Sequence, residues 1–207
     1  QPGFSREYFA RLVKSIPEEK NALLETTNID VLLDELLPVM FDEDVMPQRV
    51  NHADGEDLVA TSASNYYEGV TDAEVQAYYN EKKLTDDKPS WGLNSRLSKK
   101  DGVLCEETYK IGGRYSDCIE QIVFWLDEAR KYADDSKQEQ VINLLTEYYR
   151  TGDLSVFDEY SISWVSQTET AVDFINGFIE VYGDPLGIKG TWEGIVHYKD
   201  IEATERT

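Results

Sequence analysis

Histidine is almost missing from this chain. Its 207 residues hold two, His52 and His197. A catalytic zinc site draws neutral imidazoles together on one helix face beside a carboxylate. No His-Glu-x-x-His motif, nor its one-residue-longer variant, occurs anywhere. The residues therefore nominate no metal ligand and no catalytic group. Cysteine is equally scarce. Cys105 falls in an expected strand and Cys118 beside Ile119 and Ile122 on an expected helix. Both read as small buried hydrophobes, with a disulfide between them left open. No apolar run approaches the ~20 residues of a membrane-spanning helix, and the front of the chain lacks a signal-peptide core. Basic residues are few: 20 Lys and Arg against 41 Asp and Glu leave a net charge of −21. Such a surface repels phosphate backbones and excludes nucleic acid as a partner. There is no Gly-x-Ser-x-Gly elbow and no Gly-x-Gly-x-x-Gly loop. Asp42-Glu43-Asp44 lacks calcium-loop spacing and reads as a solvated turn.

What remains is core-forming material. At 41% hydrophobic and 12% aromatic, with thirteen tyrosines and four tryptophans, the chain can bury a sizeable interior. Its acidity serves solubility first and attraction of cationic ligands second. The chain opens Gln1-Pro2-Gly3 without an initiator methionine, as expected of an excised piece or a processed product.

Periodicity predicts the elements. Phe4, Tyr8, Phe9, Leu12, Val13 and Ile16 recur at helical spacing, with Ser5 as cap and Pro17 as stop. A second helix follows Asn28 and is expected to end or kink at Pro38. Residues 42–69 lose the pattern, leaving irregular chain and one short strand. Thr71-Asp72-Ala73-Glu74 is a capping box for a helix reaching about Lys83. Trp91–Lys99 and Val103–Ile111 alternate around the turn signal Asp101-Gly102 and predict a hairpin. Three helices follow: Tyr115–Ala133, then one opened by a capping box at Ser136-Lys137-Gln138-Glu139, then Leu154–Gln167. Two strands, Val172–Tyr182 and Thr191–Tyr198, come next, and a helix begins near Asp200. With no βαβ alternation, the expected class is α+β, with helices packed around a small antiparallel sheet or partial β-barrel, residues 1–207 forming a single domain.

The first of those last two strands has two unlike faces. Ile175, Gly177, Ile179 and Val181 alternate with Asn176, Phe178, Glu180 and Tyr182. An amide, a ring, a carboxylate and a phenol together are poor core material and suit a cleft that grips an amine. Glu180 can accept a hydrogen bond from an ammonium group, with Tyr182 beside it. The plain alternative is an exposed strand face without a ligand. His197 shares a strand face with Thr191, Glu193 and Ile195, and Trp164 is expected in the core.

Five stretches carry a resemblance. They are Asn65-Tyr66-Tyr67-Glu68-Gly69 with the capping box after it, Gly92-Leu93-Asn94-Ser95-Arg96-Leu97, Thr151-Gly152-Asp153-Leu154 with Phe157-Asp158-Glu159-Tyr160, the block from Val172 to Gly187, and Gly190-Thr191-Trp192-Glu193-Gly194. In this order the chain resembles the bacterial branch of the dipeptidyl peptidase III family, two-lobed zinc exopeptidases. The resemblance implies the substrate-side lobe of a larger enzyme that removes dipeptides from the N-terminus of oligopeptides. It implies that Glu180 and Tyr182 hold the substrate's free amine, whereas Asn94 and Arg96 are family markers; Asn176, on the same strand face, is the third substrate-binding candidate. Zinc is expected in the full-length protein and not in this chain, and the partners are an oligopeptide and the zinc-bearing lobe. Alone, the chain is expected to hydrolyse nothing. The implied compartment is the cytoplasm, with the periplasm or secretion as alternatives. A non-catalytic peptide-binding or protein-interaction domain is the rival reading.

Overall fold

The computed structural model describes residues 2–16, 28–42, 45, 50–85, 90–168 and 170–206. The chain divides into two compact units, Gln1–Arg49 and Val50–Thr207.

The first unit is a helix pair, α1 (Arg6–Lys14) and α2 (Ile29–Phe41). Ser5 caps α1 by accepting from the Tyr8 amide at 3.1 Å, and Asn28 caps α2 by accepting from Asp30 at 2.8 Å. Phe4 stacks on Phe9 and meets Phe41 edge-on, and Lys14 pairs with Asp30 at 2.6 Å. Pro38 does not end α2. The helix runs on to Phe41, and the Asp42 amide bonds the Pro38 carbonyl at 2.9 Å. Pro17 lies outside the described residues.

The second unit holds the remaining elements. They are β1 (Tyr67–Glu68), α3 (Asp72–Thr85), β2 (Ser95–Lys100), β3 (Val103–Thr108), α4 (Ser116–Ala129), α5 (Ser136–Thr151), α6 (Leu154–Val165), β4 (Val172–Glu180), β5 (Thr191–Tyr198) and α7 (Ile201–Arg206). The α+β class holds. The strands form two small sheets. In one, β2 pairs antiparallel with β3 across the Asp101-Gly102 turn and parallel with the two-residue β1. In the other, β4 and β5 form an antiparallel ribbon with a register shift between Phe178 and Glu180.

Local chemistry explains the boundaries. The box at Thr71 is reciprocal: Thr71 N–H donates to Glu74 at 3.0 Å and Glu74 N–H to Thr71 Oγ1 at 3.3 Å. The one expected at Ser136 sits one residue earlier. Asp135 accepts from the Lys137 and Gln138 amides, and Gln138 accepts from the Asp134 amide. An aspartate outcompetes the serine because its ionised oxygen accepts more strongly. The α5 helix stops at Gly152, whose φ of 72° suits a residue without Cβ. The hairpin's first strand begins only at Ser95, because Leu93 and Asn94 are turned aside: the Asn94 carbonyl accepts from Tyr109 N–H, and the Leu93 carbonyl from Gly190 N–H.

Two interiors result. One packs α4, α5 and α6 against Tyr109 and Phe178, with Tyr148, Tyr149, Val141 and Leu145 fully buried. The other gathers Tyr66, Tyr67, Val75, Tyr79 and Leu97 under the hairpin. The expectation of two buried cysteines fails. Cys105 and Cys118 are exposed free thiols, because Cys105 falls on the outward phase of β3 and Cys118 one position off the buried stripe of α4.

Candidate functional site

Val172 to Tyr198 carries the residues singled out above. Strand β4 ends at Glu180, two residues short of the expected boundary, and Tyr182 lies beyond it on the connecting turn, 69% exposed. Phe178 does not line a cleft. It is buried against Tyr109, ring centroids 5.0 Å apart. The bulge after Phe178 breaks the strict alternation, so an inward ring at 178 is followed by a partly exposed residue at 180. Asn176 is partly buried, and its amide oxygen accepts from the Tyr149 hydroxyl, which itself accepts from Trp192 Nε1 at 2.8 Å. Among the described residues no hydrogen bond joins Tyr182 to Glu180.

Glu180 has a neighbour that sequence reasoning passed over. Glu193, on β5, has its pKa raised, chiefly by the nearby Glu180 carboxyl group, with slight desolvation adding to the effect. The strand end is fixed by Thr191, whose hydroxyl donates to the Glu180 carbonyl at 2.9 Å and lies 3.1 Å from the Tyr66 hydroxyl. The signal for Glu193 was its place in Gly190-Thr191-Trp192-Glu193-Gly194, two residues from the Glu180 register partner Thr191.

The turn between the strands is anchored by two buried charges. Asp184, 2% exposed, accepts from the amides of Ile188 at 2.8 Å and Lys189 at 2.7 Å, and from the Tyr67 hydroxyl at 2.7 Å. Lys189 is fully buried. Its ammonium donates to Tyr79 Oη and to Ser95 Oγ at 2.8 Å, with Glu106 3.7 Å away. Both hydroxyls pass the bond on to Glu106, Tyr79 at 2.5 Å and Ser95 at 2.6 Å, and Lys82 also binds this carboxylate. Burial lowers the Lys189 pKa to about 8, against the opposing pull of Glu106 and Asp184. Burial pushes Glu106 upward, but donation from Lys82, Ser95 and Tyr79 outweighs it and brings the pKa down to about 2. The alternation of β3 held the clue: Leu104, Glu106 and Thr108 share the inward phase, and an inward carboxylate requires a cation.

The histidines are not brought together into a metal site. His52 is exposed, and His197, 57% exposed at its side chain, lies 3.5 Å from Asp173. Among the described residues no group of three or more His, Cys, Asp or Glu could hold a metal ion. Among them no helix is long and apolar enough to cross a membrane. Arg96 pairs with Glu68 at 2.9 Å, Asn94 donates to the Gly152 carbonyl at 3.0 Å, and Trp164 packs against the core while donating to Asp173 at 2.9 Å.

Comparison with known proteins places the chain. The sequence profile of peptidase family M49 matches residues 94–207, more than half of the chain, and the chain belongs to that family. It is similar to dipeptidyl peptidase 3 of Rattus norvegicus, 33% identical over 84 residues, 41% of this chain and 11% of that protein. The human dipeptidyl peptidase 3 is 32% identical over the same length and shares. Among solved structures, dipeptidyl-peptidase III from Corallococcus sp. strain EGB superposes with a TM-score of 0.54 at 21% identity, over 69% of this chain and 26% of that one. DPP III from Caldithrix abyssi gives 0.56 at 15% identity, over 97% of this chain and 36% of that one. These likenesses show a shared fold. The matched stretch spans about a ninth of the curated relatives' length.

Proposed function

We propose that this chain is the substrate-binding part of a zinc-dependent dipeptidyl peptidase and that it holds the free amino end of an oligopeptide. The observation that carries the reading is Glu180 at the end of β4, with Glu193 on the paired strand β5, in a chain belonging to a peptidase family. A peptide ammonium offers three N–H donors, and two carboxylates on one surface satisfy them better than one. Tyr182, exposed on the turn, closes over the amine, and Asn176 supplies its amide nitrogen, its oxygen being engaged by Tyr149. The anchored Asp184 turn supports the clamp from behind.

The contribution of this chain is binding and register. Fixing the amine selects which peptide bond, two residues along, is presented for cleavage, and such positioning is itself a large part of catalysis. Bond breaking belongs to residues outside this chain, which alone hydrolyses nothing.

Calorimetry with a tetrapeptide and its N-acetylated form tests this. The free-amine peptide should bind more tightly, by about tenfold or more, as expected for a charge-assisted contact. Glu180→Gln should remove most of that preference while leaving the fold intact. In the full-length enzyme Glu180→Ala should raise KM and lower kcat. Equal affinity for the two peptides would mean that no amine clamp exists.

A further inference from the structure

A cavity of about 420 Å³ opens between the start of β5, the end of β4 and α4, within the second unit. Its floor is made of rings. Tyr109 sits at the centre, its centroid 5.0 Å from Phe178 and 5.1 Å from Tyr115. Tyr115 and Trp192, each 44% exposed, flank the mouth. Ile119, Ile122 and Cys118 form the α4 side. The volume falls within the roughly 300–1,000 Å³ of small-molecule sites, which are apolar with few polar groups.

The polar groups are unequal. The Tyr66 hydroxyl is met by Thr191 at 3.1 Å. That of Tyr109 has no such partner: the residue is 4% exposed, its backbone amide bonds Asn94, and no described residue bonds its hydroxyl. That hydroxyl is not one of the sealed, unpaired polar atoms of the described residues, so it opens onto the cavity and is free to pair with a ligand there. Among the described residues no charged side chain lines the cavity, so an ionic ligand would lose its hydration without compensation.

We propose that this cavity binds a single aromatic ring carrying one hydrogen-bonding group, a phenol above all. The ring packs edge-to-face against Tyr109 and Trp192, and its hydroxyl pairs with that of Tyr109. A free phenol and a tyrosyl side chain share this chemistry.

Cys118 in the wall supplies a reporter. In a Cys105→Ser background, the rate at which a thiol reagent labels Cys118 is followed while p-cresol, toluene or N-acetyltyrosinamide is titrated. Both p-cresol and toluene should slow labelling saturably, p-cresol with roughly tenfold higher affinity from its hydrogen bond. Tyr109→Phe should bring p-cresol to the level of toluene and leave toluene unchanged. Ile122→Trp, which fills the space, should abolish protection by both. N-acetyltyrosinamide protecting as well as p-cresol assigns the site to tyrosyl side chains; its failure to protect where p-cresol succeeds assigns it to free phenols. Labelling indifferent to p-cresol and toluene overturns the proposal, as does a p-cresol preference that survives in Tyr109→Phe.

Discussion

Neighbouring carboxyl groups repel when both are ionised, and the Glu180 carboxyl raises the pKa of Glu193. Because Glu193 is raised in the folded state, its proton favours the native form at low pH, and that contribution is lost as pH rises through the Glu193 titration. Both groups are partly exposed, so the ligand reports this better than the melting temperature does. An ammonium ion does for the pair what the proton does. Peptide affinity should therefore increase as pH rises through this titration, and binding near its midpoint should release a proton. Calorimetry in buffers of different ionisation enthalpy measures the release directly. Glu193→Gln should abolish it and weaken the preference for a free amine. A binding enthalpy independent of buffer, at a pH where Glu193 is half titrated, would show that the ammonium does not enter between the two acids.

The turn from Asp184 to Gly190 illustrates what a pattern of residue types conveys about an element and what it hides. Strand positions, the Asp101-Gly102 hairpin turn and the α4–α6 helices follow from periodicity, because burial of one face enforces it. The Thr71 box and the Gly152 stop follow from backbone chemistry local to those residues. Three things stayed illegible: the inward turn of Phe178, the carboxyl neighbour of Glu180, and the joining of Lys189 to Glu106 over 83 positions. Each depends on a bulge or on a contact between distant segments, and neither leaves a local period. The buried network makes two predictions. Glu106 has its pKa lowered to about 2, so its stabilisation is present above the ordinary carboxylate range and disappears as pH falls toward 2. Glu106→Gln should cost about 3 kcal/mol at neutral pH by leaving Lys189 without its carboxylate, and should flatten acid unfolding between pH ~4.5 and ~2. Urea titrations across that range check both. Gly190 tests the packing of the turn. A Cβ there would lie 2.7 Å from the Phe178 backbone carbon and oxygen, atoms that cannot swing aside. Gly190→Ala should destabilise by about 1–3 kcal/mol and loosen the β4–β5 ribbon, visible as faster amide exchange in both strands.

At the scale of the whole chain, one quantity acts in two opposite directions. A net charge of −21 over 207 residues makes the surface repel itself. The same field draws in any ligand that carries positive charge, and a peptide with a free amino end and lysine side chains is such a ligand. Salt screens both effects, with a Debye length falling from ~30 Å at 0.01 M to ~8 Å at 0.15 M. Added sodium chloride should therefore raise the melting temperature, because the native state is the more compact and the more strained by repulsion. It should at the same time slow association of a cationic tetrapeptide, by about tenfold over that range. Dissociation should change far less, since contacts at the carboxyl pair are short-ranged. Scanning calorimetry gives the first trend and stopped-flow fluorescence the second. If the amine clamp is real, the ratio of affinities for free-amine and N-acetylated peptides should survive screening even as both rates of encounter fall. A ratio that collapses to one at 0.15 M salt would mean that the acidic surface attracts peptides as a diffuse cloud, and that Glu180 has no privileged place in it.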